Sequence, residues 1–222
     1  MRGTNPCVTS VEHSSSYGGL RPELGRAQDK VNTPAHAIVN LALLGRKGAT
    51  GLAVGAIVLG AMVPDIPIVL FYLIEKFVRC TPEAIIWGEL YEMSPWYVLT
   101  STLHSFVVVG GMFVIFRWIG KPTLALFSLS MVLHSLGDIF VHTTDAHRHF
   151  FPVSDYQFVS PVSYWDPNHF GIYFFAFELL SCLVLSIHLI RKNSVRNVKP
   201  WVLSLLGLYV AGIAYALFVW AI

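Results

Sequence analysis

Along this chain apolar residues are gathered into long runs, and polar residues fall between the runs or at isolated points inside them. The segments 99–119, 122–143, 171–190 and 200–222 are each about 20 residues long, enough for a helix to cross a hydrocarbon layer about 30 Å thick. The longest run, 49–78, is interrupted by Val63-Pro64-Asp65-Ile66-Pro67. Two prolines there predict a kinked or broken helix with backbone groups left to be satisfied. A first apolar segment, 34–44, opens with Thr33-Pro34, a favourable helix start. At about 16 Å it is too short to span alone and predicts a re-entrant or partly submerged helix. The pattern thus predicts an all-α, polytopic transmembrane bundle of about five spans plus a short first helix. Residues 1–31, polar and broken by Gly, Pro and Ser, predict a disordered leader, and 32–222 a single membrane-embedded domain.

Composition agrees with this picture. Of the 222 residues 55% are hydrophobic and only 13% charged, where a soluble domain carries about 25% charged residues. A net charge of +2 without Lys/Arg-rich tracts excludes a nucleic-acid partner. Cys7, Cys80 and Cys182 are scattered, and their spacing supports neither a disulfide framework nor a thiolate zinc site.

The charges between spans alternate. Arg46 and Lys47, then Arg117 and Lys121, then Arg191, Lys192, Arg196 and Lys199 fall in alternate loops. Loops 79–98 and 144–169 hold mainly acids. By the positive-inside rule 45–48, 118–121 and 191–199 are cytoplasmic and 144–169 lies opposite, in a bacterial-type inner membrane or its equivalent.

The informative residues are those that are costly to place in lipid: His36, Asn40, Asp65, His104, Ser105, His134, Asp138 and His142. Such residues face a bundle interior or a wet cavity and are functional candidates by default. His134, Asp138 and His142, at i, i+4 and i+8, project along one helix face. That spacing suits a metal, and equally a hydrogen-bonded polar stripe packed against a neighbour. Counted from the basic loops, His36 falls at a depth of about 14 Å, His104 and His134 at about 20 Å, and Asp65 and Asp138 at about 25 Å. Segments distant in sequence therefore place ligand-type side chains in one slab. The loop 143–170, rich in aromatics and histidines, predicts an ordered cap over the bundle end, with Asp145, His147 and His149 as further ligands; an interfacial aromatic belt is the alternative. His13 and His188 carry little weight, the first lying in the leader and the second near a helix end.

Imidazole and carboxylate without thiolate favour zinc, with manganese or ferrous iron as alternatives. Neither a GxSxG elbow nor an HExxH helix occurs. The order of motifs resembles that of the YdjM-like family of LexA-regulated, membrane-bound, metal-dependent hydrolases. It rests on Pro34-Ala35-His36, Gly60-Ala61-Met62-Val63-Pro64-Asp65, Leu103-His104-Ser105 and Leu133-His134-Ser135-Leu136-Gly137-Asp138, followed by an aromatic, proline-containing loop. The resemblance covers most of 33–170 and implies a metal-dependent hydrolase. Two positions depart from the family pattern: Pro67 replaces the second aspartate of Pro-Asp-x-Asp, and the stretch before His104 lacks a His and an Arg. A mononuclear site, or replacement by Asp145, His147 or His149, would follow.

The sequence reading is therefore an integral-membrane metal hydrolase acting on a lipid or other amphiphilic ester or phosphoester. Its expected metal ligands are His36, Asp65, His104, His134, Asp138, His147 and His149, with Asp138 and His142 catalytic. A non-catalytic membrane scaffold is the runner-up, and an ion or proton transporter the third reading. The bilayer is the expected partner; no protein partner is indicated.

Overall fold

A computed structural model describes residues 33–192 and 198–221, so the predicted leader and residues 193–197 of one basic loop lie outside the described residues. Within them the chain is all-helical, with α1 at Thr33–Leu44, α2 at Gly51–Met62, α3 at Ile66–Leu73 and a short α4 at Glu83–Ile85. Then follow α5 at Pro95–Leu103, α6 at Phe106–Trp118, α7 at Pro122–Asp138, α8 at Gly171–Lys192 and α9 at Val198–Ala221.

The bundle is held by apolar packing with polar ties. Ile38 and Leu41 of α1, Val54, Ile57 and Val58 of α2, Cys182 and Leu189 of α8, and Val202 and Leu205 of α9 share one buried core. Backbones approach closely where side chains are small, as is usual when helices associate in lipid. A Cβ on Gly60 of α2 would meet Ser130 Cβ of α7 at 2.8 Å. Asn40 of α1 donates to the Ser130 carbonyl at 2.8 Å, and Ser130 Oγ donates to the Ile57 carbonyl at 2.6 Å, tying α1, α2 and α7 together. Cys182 is a free buried thiol, whereas Cys80 takes part in a disulfide that the scattered spacing gave no reason to expect.

Span lengths differ from the sequence expectation. Among the described residues three stretches are long and apolar enough to cross a membrane: Gly51–Val78, Gly171–Arg191 and Val198–Ala216. A fourth is added if α5 and α6, bent by 50° at their junction, count as one span. The uninterrupted span predicted at 99–119 is thus a broken one, and α7 ends at Asp138 after 17 residues instead of running on to 143. The prolines of 49–78 interrupt the α-helix as expected, without ending the span. Pro64 and Pro67 sit at the starts of a 3-10 turn, Val63–Asp65, and of α3, where a missing N–H costs nothing, and the stretch continues as one 28-residue span. Loop 79–98, read as plain connection, folds into α4 and a π turn at Ile86–Leu90 around an aromatic cluster of Phe71, Trp87 and Tyr91.

Candidate metal centre

Four helix junctions or faces deliver the five intramembrane candidates to one point. His36 comes from the first turns of α1 and Asp65 from the 3-10 turn between α2 and α3. His104 comes from the α5–α6 break, and His134 and Asp138 from one face of α7. His134 Nε2 lies 3.0 Å from Asp138 Oδ2 and 3.4 Å from Asp65 Oδ1, and His104 Nε2 lies 3.3 Å from each carboxylate. His36 Nε2 is 3.0 Å from Asp138 Oδ1. The apparent agreement in depth along the chain is thus a real convergence, and His104 and His134 are fully buried.

The tautomers follow from the partners of the other ring nitrogens. His134 Nδ1 faces the Ala61 carbonyl at 2.8 Å, and His104 Nδ1 faces the Thr100 carbonyl at 2.8 Å. A carbonyl only accepts, so each Nδ1 carries a hydrogen, and in a neutral ring the Nε2 lone pair is then turned inward. The two Nε2 atoms face each other at 3.2 Å. Asp138 Oδ2 lies among them, buried and without a hydrogen-bond donor. Such an arrangement is repulsive unless a proton or a metal cation sits within it. Ligand atoms about 2.0–2.2 Å from a tetrahedral ion lie about 3.3–3.6 Å apart, close to the separations seen here. Backbone carbonyls that fix imidazole orientation are the usual support of metal-ligating histidines.

Three groups of side chains can hold an ion: His36, His134 and Asp138; Asp65, His104 and His134; and His104, Asp138 and His147. His147 reaches the centre from the loop 139–170, stacked on His104 with ring centroids 4.0 Å apart. Burial, reinforced by His104 and His142 nearby, holds its imidazole well below the usual range, which keeps it in the neutral form that ligates. His149 belongs to none of the three groups. Its buried ring stacks on Phe106, both nitrogens lack a partner, and burial pushes it down to about 4.

His142 stands beside the ligands. Its Nε2 is 3.6 Å from Asp138 Oδ1, and its Nδ1 lies 2.9 Å from Asp145 Oδ2. Trp165 Nε1 also donates to that carboxylate, at 3.3 Å. Burial works against ionisation of Asp145, but the charge of His142 and these hydrogen bonds outweigh it and hold the carboxyl below its ordinary range. The sequence reading placed Asp145 among substitute ligands; its contacts instead make it the group that orients His142. The i, i+3 spacing of the two residues was the available signal.

The loop is an ordered cap, as its aromatics suggested. Ser160 N–H donates to the His142 carbonyl and Tyr164 N–H to that of Val141. Arg148 lies over the rings of Tyr97 and Phe151 and donates to Ser101 and Asp155. Beneath the cap a cavity of about 430 Å³ is lined by His36, Asp65, Asp138, His142 and His147, so the cluster opens into a space large enough for a ligand.

Compared with protein-family models, curated proteins and solved structures, the chain finds no match. The class supported by fold and site together is an all-helical protein with membrane-compatible helices around a buried His/Asp cluster able to hold a metal ion.

Proposed function

We propose that this protein is a membrane-embedded, metal-dependent hydrolase of esters or phosphoesters. The observation that carries the reading is the convergence of the His104 and His134 Nε2 atoms, 3.2 Å apart, with two buried carboxylates within ligand distance. A divalent ion, zinc first by the chemistry of these donors, would supply a Lewis acid and lower the pKa of a coordinated water. Because each of these histidines offers one lone pair, groups that share one cannot be filled together. Any one of the three groups could hold an ion, and the groups containing His36 and His147 share no histidine, only Asp138.

In its neutral form His142 would serve as general base, with its Nδ1–H pointing at Asp145 and its Nε2 on the cavity side, 3.6 Å from Asp138 Oδ1. Water would bond through oxygen to the carbonyl carbon or phosphorus as the ester C–O or P–O bond breaks. One water proton passes to His142 and then to the departing oxygen, giving an alcohol and an acid. The motif order shared with the YdjM-like hydrolases points the same way, and is a resemblance of short segments.

A second reading rests on a different aspect of the same geometry. Asp65, His104, His134, Asp138, His142 and Asp145 form a connected series with links of 2.9–3.6 Å, as a proton relay in a transporter would. Elemental analysis of detergent-purified protein separates the two. The hydrolase reading expects stoichiometric metal that falls sharply in His134→Ala at unchanged expression. Wild-type protein that carries no metal, and gains none on incubation with zinc, manganese or iron, would sink it.

A further inference from the structure

The cavity beneath the cap has two kinds of wall. One side carries the cluster and the cap's polar groups, among them His142, Gln157 and Tyr97. The other is formed by Leu43 of α1, Leu136 of α7, Phe140 just beyond α7, and Phe174, Phe177 and Cys182 of α8. In a water-soluble enzyme a wall of this kind would be closed by further structure. Here Leu136 is 45% and Phe177 64% exposed, and Leu43 and Phe140 are exposed as well. They lie on or beside membrane-compatible helices, so among the described residues nothing covers this wall and a bilayer would meet it. Glu178, in the same wall, accepts a hydrogen bond from Tyr209 at 2.7 Å. His36 and Asp138, 3.0 Å apart, line the same cavity as both sets of residues.

We propose that the cavity opens sideways to the bilayer between α1, α7 and α8 and takes a phospholipid, its phosphoester against the His/Asp cluster and an acyl chain along the apolar wall. The proposal rests on the hydrolase reading for what happens at the headgroup, but not for how the lipid enters. A substrate arriving from water would have to pass the cap, which Arg148, Gln157 and Ser160 pin down. A chain arriving from the membrane meets mainly apolar side chains, with Glu178 and Ser181 among them. Its methylenes exchange one apolar surrounding for another, so the headgroup's contacts decide selection.

The test is photo-crosslinking of the full chain in nanodiscs with a phosphatidylglycerol whose acyl chain carries a diazirine. Labelled peptides should contain Leu43, Leu136, Phe140 or Phe177, in addition to general bilayer-facing positions such as Leu203 and Val210 of α9. Ser181→Trp, which puts an indole into the cavity wall, should lower labelling at the first set severalfold and leave α9 labelling and metal content unchanged. Leu136→Trp, at an exposed position that leaves the core untouched, gives the same comparison should Ser181→Trp fail to fold. Labelling of the wall that neither variant reduces, or labelling confined to the outer faces of α9, overturns the proposal. Cavity labelling without any phospholipid turnover upholds lateral entry and defeats the hydrolase reading. Turnover of a water-soluble phosphoester with no cavity labelling does the reverse.

Discussion

Gly137 shows how far the cluster depends on an atom that is missing. A Cβ there would come within 2.9 Å of His36 Cε1, so the imidazole that reaches Asp138 at 3.0 Å can do so only over a bare backbone. Gly137→Ala should therefore move His36 without removing any ligand. Displaced supporting contacts of this kind cost about 10–100-fold in metal affinity, and competition with a zinc chelator would read the change. Equal affinity in variant and wild type would show that His36 holds no metal. Asp145→Asn tests a different role. It keeps the shape beside His142 but weakens the partner that fixes the ring, so metal content should stay level while turnover of a phosphoester falls on the order of 10²-fold or more. Loss of metal in that variant would make Asp145 a ligand after all. The candidate cluster was legible in the sequence because Asp65, His104, His134 and Asp138 stand alone in apolar runs where their presence needs a reason. The Ala61 and Thr100 carbonyls that set the tautomers were not legible, since every residue has a carbonyl and only the packed helices choose which one faces a histidine.

At the scale of elements, the break between α5 and α6 is the feature with most consequence for the site. Nothing in Thr102-Leu103-His104-Ser105-Phe106 announces it, because neither Gly nor Pro is present, and an uninterrupted helix was the natural reading. The structure shows what makes it possible. Ser105 caps α6 by accepting from Val108 N–H and donates to the Phe151 carbonyl, while Phe106 N–H donates to the His149 carbonyl at 2.8 Å. Backbone groups freed at membrane depth are thus satisfied by the cap, which is remote in sequence. The same contacts bring His147 over His104. Long-range partners of this sort leave no local periodicity, whereas the lengths of α8 and α9 could be read within a residue or two. Ser105→Ala removes both the cap and the anchor. It should cost about 0.5–2 kcal/mol of stability and raise hydrogen exchange across 147–153 before any other segment. Exchange that rises uniformly along the chain would mean that the cap is held by something other than this break.

For the molecule as a whole, the open question is how the helices sit across the bilayer, and two independent signals bear on it. The first is charge: Arg46 and Lys47, Arg117 and Lys121, and the basic residues after α8 occupy alternate connections. The second is geometry, which uses no charges. Gln157 of the cap donates to Tyr97 at 3.1 Å, and Arg148 lies over the same ring at 4.3 Å. The segment around 79–98 and the cap after α7 are therefore at one end of the bundle, as the alternation requires. Between them in the chain run the bent α5–α6 pair and α7, and α7 is 17 residues long. At about 1.5 Å per residue α7 covers about 25 Å, short of a hydrocarbon thickness of about 30 Å. We expect single cysteines, introduced on a background without the native thiols, to report this arrangement. A probe at Ser154 should react with a membrane-impermeant maleimide added from the non-cytoplasmic side, and one at Ser194 should not. If both react, the stretch from α7 to α8 does not cross as drawn and the span count is wrong. If only Ser194 reacts, the bundle is inverted, the cap and the cavity face the cytoplasm, and the positive-inside bias has been overridden while the site itself stays as described.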